Sequence, residues 1–482
     1  MKRTNYKLYV LSGLVSLSLL AGSCSKIDEF GDINRNPSLT TEPITSAVLT
    51  NVLAGIPGTA ANTRGGLYAQ YFAETQYTET SLYAEPKIDF DGTYSGPLND
   101  LQNIINYNTD PATAPKAVLN GSNANQIAVA RILKAYYYWI LTDQYGDIPY
   151  SEALKGEGVT KFDSQQEIYN DLFKELDEAV DQFDNGLAVK GDLMYGGDAE
   201  KWKKFANSLR LLMALRISKA DAAKGATEAA AAVAGGVFES NADNAMIDYP
   251  NDGTYNNVWW GTYNGRKDFA MSELIDDFVT DYNDPRKEVF GSSDIGFPYG
   301  LTRDAAVAFD GSSGGRWARI LSDDKRTSGS PVVIVNYATV LLAQAEARQR
   351  GWITSGPSAE ELYKMAIMAS WDEWELDWEQ ETFDTYYGNA DINFAGGDEL
   401  EKIATQRYIA MYPNGSQAWF EWRRTGFPTL SPTPSATNSS KQIPRRYVYG
   451  LRQYSLNEAN VTAAAAAMGG DTQDSRVWWD RP

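Results

Sequence analysis

Histidine is absent from this 482-residue chain and cysteine occurs once, as Cys24, so carboxylates, aromatic rings and cations must carry whatever chemistry it performs. That removes Ser-His-Asp triads, imidazole acid–base catalysis and histidine metal ligation. A single cysteine closes no internal disulfide and builds no cysteine-rich zinc site. The 63 Asp and Glu residues leave one catalytic arrangement open, a glycosidase carboxylate pair. Its members stand about 5–5.5 Å apart in retaining enzymes and about 6.5–9.5 Å in inverting ones, and no spacing in the sequence singles out such a pair. Asp89-Phe90-Asp91-Gly92 and Gly196-Gly197-Asp198 lack the ligand spacing of a calcium loop and read as turns or caps. No phosphate-binding glycine loop is present, and no cofactor is expected. A net charge of -20 repels phosphate backbones, which argues against nucleic acid as a partner.

Aromatic residues are the richer signal. The chain has 29 Tyr and 13 Trp against 17 Phe, rings that combine an apolar face with a polar handle. Such rings stack on the C–H face of a sugar and suit peptides as well. One cluster comprises Tyr249, Tyr255, Trp259, Trp260 and Tyr263, interleaved with Asn256, Asn257, Asn264 and Arg266. Adjacent Trp259 and Trp260 cannot both be buried on one side of an extended chain, so one should face solvent or a ligand. A second, earlier set is Gln76, Tyr77, Tyr83 and Tyr94. The expected ligand contacts are therefore Tyr77, Tyr83, Tyr94, Trp259, Trp260, Tyr263, Asn264 and Arg266, with no catalytic or metal-binding residue among them. Trp371, Trp374 and Trp378 recur at spacings of three and four, which puts them on one helical face. They read as a buried seam beneath a solvated acidic face; the sharper reading is an aromatic platform or a carboxylate pair.

The elements that must position these residues are mainly helices. Ser164 and Glu167 form a capping box ahead of a helix reaching Phe183, with Ile168, Leu172, Leu176 and Val180 on one stripe. The pattern from Gln126 to Asp143 is another amphipathic helix, and Asp198 caps a third that carries Trp202, Phe205, Leu209 and Leu212. Pro331 to Arg350 reads as a helix stopped by Gly351, and Ser358 with Glu361 opens the helix toward Trp371. Alanines 343, 345 and 347 permit close helix contact, so the pattern is of tetratricopeptide-like helix pairs without a fixed repeat length. Residues 249 to 330 are rich in Gly, Asn, Asp and Ser and read as a loop-rich insert, helical only near Met271 to Thr280. Long loops on a helical frame usually carry function. Gly426 to Ser440 is a second irregular stretch.

The N-terminus sets the compartment. Lys2, Arg3 and Lys7 precede the apolar stretch Leu8 to Leu20 and the small residues Ala21-Gly22-Ser23 before Cys24. This is the order of a secretory signal over residues 1–23, too short for a membrane span. Cys24 in this position resembles the lipobox of bacterial lipoproteins, with Ala21 where the pattern has a larger aliphatic. Lipidation of Cys24 would start the mature chain there, and multiple acyl chains anchor firmly. Lys26-Ile27-Asp28-Glu29 resembles the surface-export signal of Bacteroidota lipoproteins.

Blocks in order along the whole chain add a family resemblance. They are the leader with Cys24, Phe30 to Thr40 (FGDINRNPSLT), Ile132 to Leu154 (ILKAYYYWILTDQYGDIPYSEAL), Gln406 to Pro428 (QRYIAMYPNGSQAWFEWRRTGFP), Pro444 to Gly450 (PRRYVYG) and Val477 to Asp480 (VWWD). Together they resemble the SusD/RagB family of nutrient-binding outer-membrane lipoproteins. The resemblance implies a mostly α fold of four tetratricopeptide-like helix pairs with a loop-rich ligand-binding part, one SusD-like domain over residues 24–482. It implies a glycan ligand, or a peptide in some branches, no catalysis, and a TonB-dependent, SusC-like outer-membrane transporter as partner. It would place the chain in the outer membrane at the cell surface. The block with Glu421, Arg423 and Arg424 resembles a family motif and reads as a structural ion-pair anchor, because arginine forks suit carboxylates. The competing function is a surface glycoside hydrolase using a carboxylate pair.

Overall fold

Helix caps written in the sequence lay out the frame. The computed structural model describes residues 44–84, 87–156 and 158–481; the leader, Cys24, the Lys26–Glu29 segment and the block from Phe30 to Thr40 lie outside the described residues. Helix α1 (Asn123–Tyr145) is capped by Ser122 and stops at Gly146, whose φ of 89° suits glycine. It is followed by α2 (Gln165–Gln182), opened by the expected Ser164–Glu167 capping box. Then come α3 (Ala199–Arg216), where Asp198 accepts the N–H groups of Glu200 and Lys201, and α4 (Ala222–Gly235). The second half holds α5 (Tyr337–Gln349), α6 (Ala359–Glu373) with its Ser358–Glu361 box, α7 (Glu399–Ala410) and α8 (Gly415–Thr425).

Neighbours in sequence pack in pairs, α1 on α2, α3 on α4, α5 on α6 and α7 on α8, and α3 also meets α5. This is a mostly helical, tetratricopeptide-like architecture, and residues from Thr45 onward form one compact unit. The stripes expected on α1 to α3 are the buried ones: Leu133, Tyr136, Ile168, Leu172, Trp202, Phe205 and Leu209 are all almost fully enclosed. Each such side chain contributes about 1.5–3 kcal/mol of hydrophobic stabilisation. Ala343, Ala345 and Ala347 are wholly buried, which lets α6 and α7 approach α5.

Among the described residues four short strands, β1 (Phe72–Glu74), β2 (Ala245–Ile247), β3 (Phe269–Met271) and β4 (Val332–Val335), form two antiparallel ribbons, β1 with β3 and β2 with β4. Strand β4 corrects the helix expected from Pro331. Val332-Val333-Ile334-Val335 is a run of β-branched residues, stiff in a helix and well suited to a ribbon, so α5 starts only after the Asn336 cap. The insert at 249–330 is also more ordered than its composition suggests. Besides the expected helix, Glu273–Thr280, it contains a helix from Arg303 to Ser313.

The tryptophan seam needs a correction too. Helix α6 ends at Glu373, Trp374 is its C-cap and Glu375 has a φ of 57°, so Trp378 lies beyond the helix. The chain doubles back, and the rings of Trp371 and Trp378 meet edge-on at 5.4 Å. Trp371 is fully buried, with Nε1 donating to Asp284.

A buried charge network ties the second half together. Arg424 of α8 donates to both oxygens of Glu346 on α5, at 2.7 and 2.6 Å, and to Glu421; Arg407 of α7 donates to Glu346 and Glu421 as well. Burial alone would raise the Glu421 carboxyl, but Arg407 and Arg424 overrule it and hold it at about 2. Glu421 and Arg424 thus join in ion pairs as the motif implied. Arg423 does not: it points the other way, donating to the carbonyl oxygens of Asp143 and Arg445 and stacking 4.1 Å from Trp419 and 4.6 Å from Trp479. Consecutive helical residues are turned about 100° apart and cannot serve the same partner.

Candidate ligand-binding site

The β1–β3 ribbon builds an open aromatic platform. Its register sets Phe72 against Met271, Ala73 against Ala270 and Glu74 against Phe269. Pairing continues past the strands, since the Thr75 N–H donates to the Asp268 carbonyl at 3.0 Å and its hydroxyl to the Lys267 carbonyl at 2.6 Å. Gln76-Tyr77 and Arg266-Lys267-Asp268 therefore lie side by side. The guanidinium of Arg266 sits 4.8 Å from the centre of the Tyr77 ring, and that of Arg303, at the start of the Arg303–Ser313 helix, sits 5.5 Å from it. Asp268 fastens the group, accepting from Gln76 Nε2 at 2.8 Å and pairing with Arg266 at 2.5 Å. Beneath lies a small apolar cluster of Ala73, Ala270, Phe297, Ala306 and Trp317.

The platform has what a sugar needs. Tyr77 is 44% exposed, and the guanidiniums of Arg266 and Arg303 lie over its ring, so aromatic and cationic surface reach solvent together. The arginine forks and the Gln76 amide are donors, and Asp268 an acceptor, of the kinds that hydroxyl groups pair with. Neither Asp268 nor Arg303 stood out in the sequence. Asp268 is recruited by a pairing between segments almost two hundred residues apart and Arg303 by a separate helix, which leaves no local signal.

The remaining predicted contacts go elsewhere. Tyr83 is fully buried, its hydroxyl accepting the Thr433 N–H at 3.3 Å and its ring meeting Tyr68 at 6.3 Å. Tyr94 donates to the Pro149 carbonyl at 2.5 Å between Phe90 and Tyr138. Tyr263 donates to the Phe269 carbonyl, accepts the Ile320 N–H and lies 4.5 Å beneath Arg326. These three are held by packing and backbone hydrogen bonds instead of facing solvent beside Tyr77. Trp259 and Trp260 do separate as the sequence requires. Trp259 is 2% exposed, edge-on to Phe72 at 5.5 Å, and Trp260 is partly exposed. Asn264 is exposed on the same turn-rich segment as Arg266.

A separate concavity of about 440 Å³ opens between β4, the end of α6 and the start of α8. Of the eight predicted contacts only Trp259 lines it. Its polar feature is Glu373, whose Oε2 accepts from Asn336 Nδ2 at 2.7 Å. Burial pushes this carboxyl up to about 8. Among the described residues no group of three or more Asp, Glu or Cys is gathered to hold a metal, and no helix is long and apolar enough to cross a membrane.

The frame of helix pairs thus carries an exposed cluster of one tyrosine ring and two arginines. The chain belongs to the SusD-like family: residues 37–450 match the model described as starch-binding, associating with outer membrane. It is similar to a solved chitin-binding protein at 31% identity, covering 91% of this chain and 100% of that one, with a TM-score of 0.78. A SusD homolog from Bacteroides uniformis is 27% identical over 92% of this chain and 100% of its own, with a TM-score of 0.78. A chitin-binding SusD homolog from Flavobacterium johnsoniae is 25% identical over 91% and 98%, with a TM-score of 0.76. No curated protein matches the sequence.

Proposed function

We propose that this protein captures an oligosaccharide at the cell surface and passes it, chemically unchanged, to a SusC-like, TonB-dependent transporter in the outer membrane. A lipid on Cys24 holds it there. The observation that carries this reading is the exposed Tyr77 side chain clustered with the Arg266 and Arg303 guanidiniums. The family match and the chitin-binding relatives support a glycan over a peptide.

The decisive experiment is calorimetric titration of a soluble Cys24→Ser form with chitin and starch oligosaccharides, followed by chromatography after prolonged incubation. Saturable binding without new products is expected. Released shorter sugars would establish the hydrolase instead. Labelled palmitate incorporated by the natural chain and absent from Cys24→Ser tests the anchor, and co-purification of a large barrel protein tests the partner.

A further inference from the structure

The cavity beside β4 serves no part of the platform, yet it is a formed site. Its walls are largely apolar, with Met246, Val332, Ile334 and Met411 joined by the indoles of Trp259 and Trp374. Glu373 sits among them. One carboxyl oxygen is held by Asn336, and among the described residues the other has no protein partner and no cation lies within ion-pair distance. Glu373 is half-buried and lines the cavity.

The charges lining the cavity are mostly acidic. Asp372 and Glu375 reach the cavity from the same segment as Glu373, and Asp324 and Lys325 from the facing loop. Lys325 is tied to Glu375 at 2.8 Å. Asp372 accepts only from Trp378 Nε1. Arg286 reaches Glu373 only through its field and is bonded to Asp284. The Tyr412 hydroxyl is turned away, donating to the Phe290 carbonyl. Among the described residues, Asp324, Asp372 and Glu373 thus have no ion-pair partner.

We propose that this cavity binds a small organic cation, a protonated amine on a body about the size of one sugar or aromatic ring, with the ammonium at Glu373 and the body against Trp374. An anion is repelled by the carboxylates, and a neutral molecule can pair with Glu373, Trp374 Nε1 and Gln417 Nε2 but forms no ion pair. A cation gains that ion pair together with the Trp374 indole. Because burial holds Glu373 up to about 8, the carboxyl is protonated at neutral pH. Binding then converts the neutral acid to a carboxylate paired with the ammonium and releases one proton to solvent.

The test is calorimetric titration of the purified protein at pH 6.5, in two buffers of different ionisation enthalpy. The probes are phenethylamine against 2-phenylethanol, and glucosamine against N-acetylglucosamine. The expected result is one-to-one binding of at least one amine, release of about one proton, and neutral analogues weaker by roughly tenfold or more. Glu373→Gln should weaken the amine by a similar factor, and Tyr77→Ala should leave it unchanged. No binding by either amine, or equal binding by the neutral analogues, would overturn the proposal. The comparison of amines with neutral analogues is read on the unaltered protein, so it decides the matter even if Glu373→Gln does not fold. Loss of glycan binding in Tyr77→Ala bears on the platform alone.

Discussion

The guanidinium of Arg266 lies 4.8 Å from the centre of the Tyr77 ring, although the two residues belong to separate segments of the chain. The β1–β3 register makes the meeting obligatory, since Thr75 pairs with Asp268 and the side chains beyond must fall together. If this is the ligand platform, Tyr77→Ala and Arg266→Ala should each weaken oligosaccharide binding by roughly tenfold, the scale of one stacked or hydrogen-bonded contact. Both are exposed, so melting temperatures should barely move. Calorimetry on the two variants and their double mutant checks this; undiminished affinity in Tyr77→Ala would discard the platform.

Tyr83 should behave in the opposite way. It is fully buried against Tyr68, and truncation to Ala removes a core ring at a cost of about 3–5 kcal/mol. Urea unfolding should show the loss. Any surviving folded fraction should bind sugar with unaltered affinity.

The Glu346–Arg407–Glu421–Arg424 network predicts a defined acid sensitivity. Glu421→Gln leaves two buried arginines short of charge and should cost about 3–5 kcal/mol. The Glu421 carboxyl is lowered from its ordinary 4.5 to about 2 in the folded state. Its contribution is therefore complete above about 4.5 and drains away as pH falls toward 2. Denaturant midpoints measured across pH 2 to 6 should fall steeply for the natural protein and less steeply for Glu421→Gln.

Glu373 carries the reverse sign. Its carboxyl is raised from 4.5 to about 8, so the folded state holds the proton more tightly than the unfolded chain. That contribution is complete below about 4.5 and is lost as pH rises through 8. Glu373→Gln should flatten the decline in stability between pH 5 and 9. Parallel curves for the two proteins would show that the carboxyl titrates normally.

Gly415 at the start of α8 packs directly on Gly66, and a Cβ on Gly415 would lie 2.1 Å from the Gly66 Cα. Backbone cannot yield as a flexible side chain would, so Gly415→Ala should destabilise by about 1–3 kcal/mol or more. Gly351, where an added Cβ meets nothing within 4 Å, is the comparison site; its substitution acts only through a φ of 73°. Thermal melts of the two variants separate crowding from conformational strain.

What the sequence determined by itself was the helical frame. Ser164, Asp198 and Ser358 cap the helices they were expected to cap, because a side chain reaching its own backbone two or three residues on needs no distant partner. The same locality misled at Pro331 to Val335, where helix and strand both satisfy a short apolar run and only pairing with β2 settles the matter. Tertiary structure decided the site. Tyr77, Tyr83 and Tyr94 look alike as residues in a polar segment, yet one is open and two are held by distant packing and carbonyls. Arg303 and Asp268 gain meaning only beside Tyr77. Capping and amphipathic stripes are short-range effects written in consecutive residues, whereas a binding surface is the sum of contacts whose partners the chain order does not reveal.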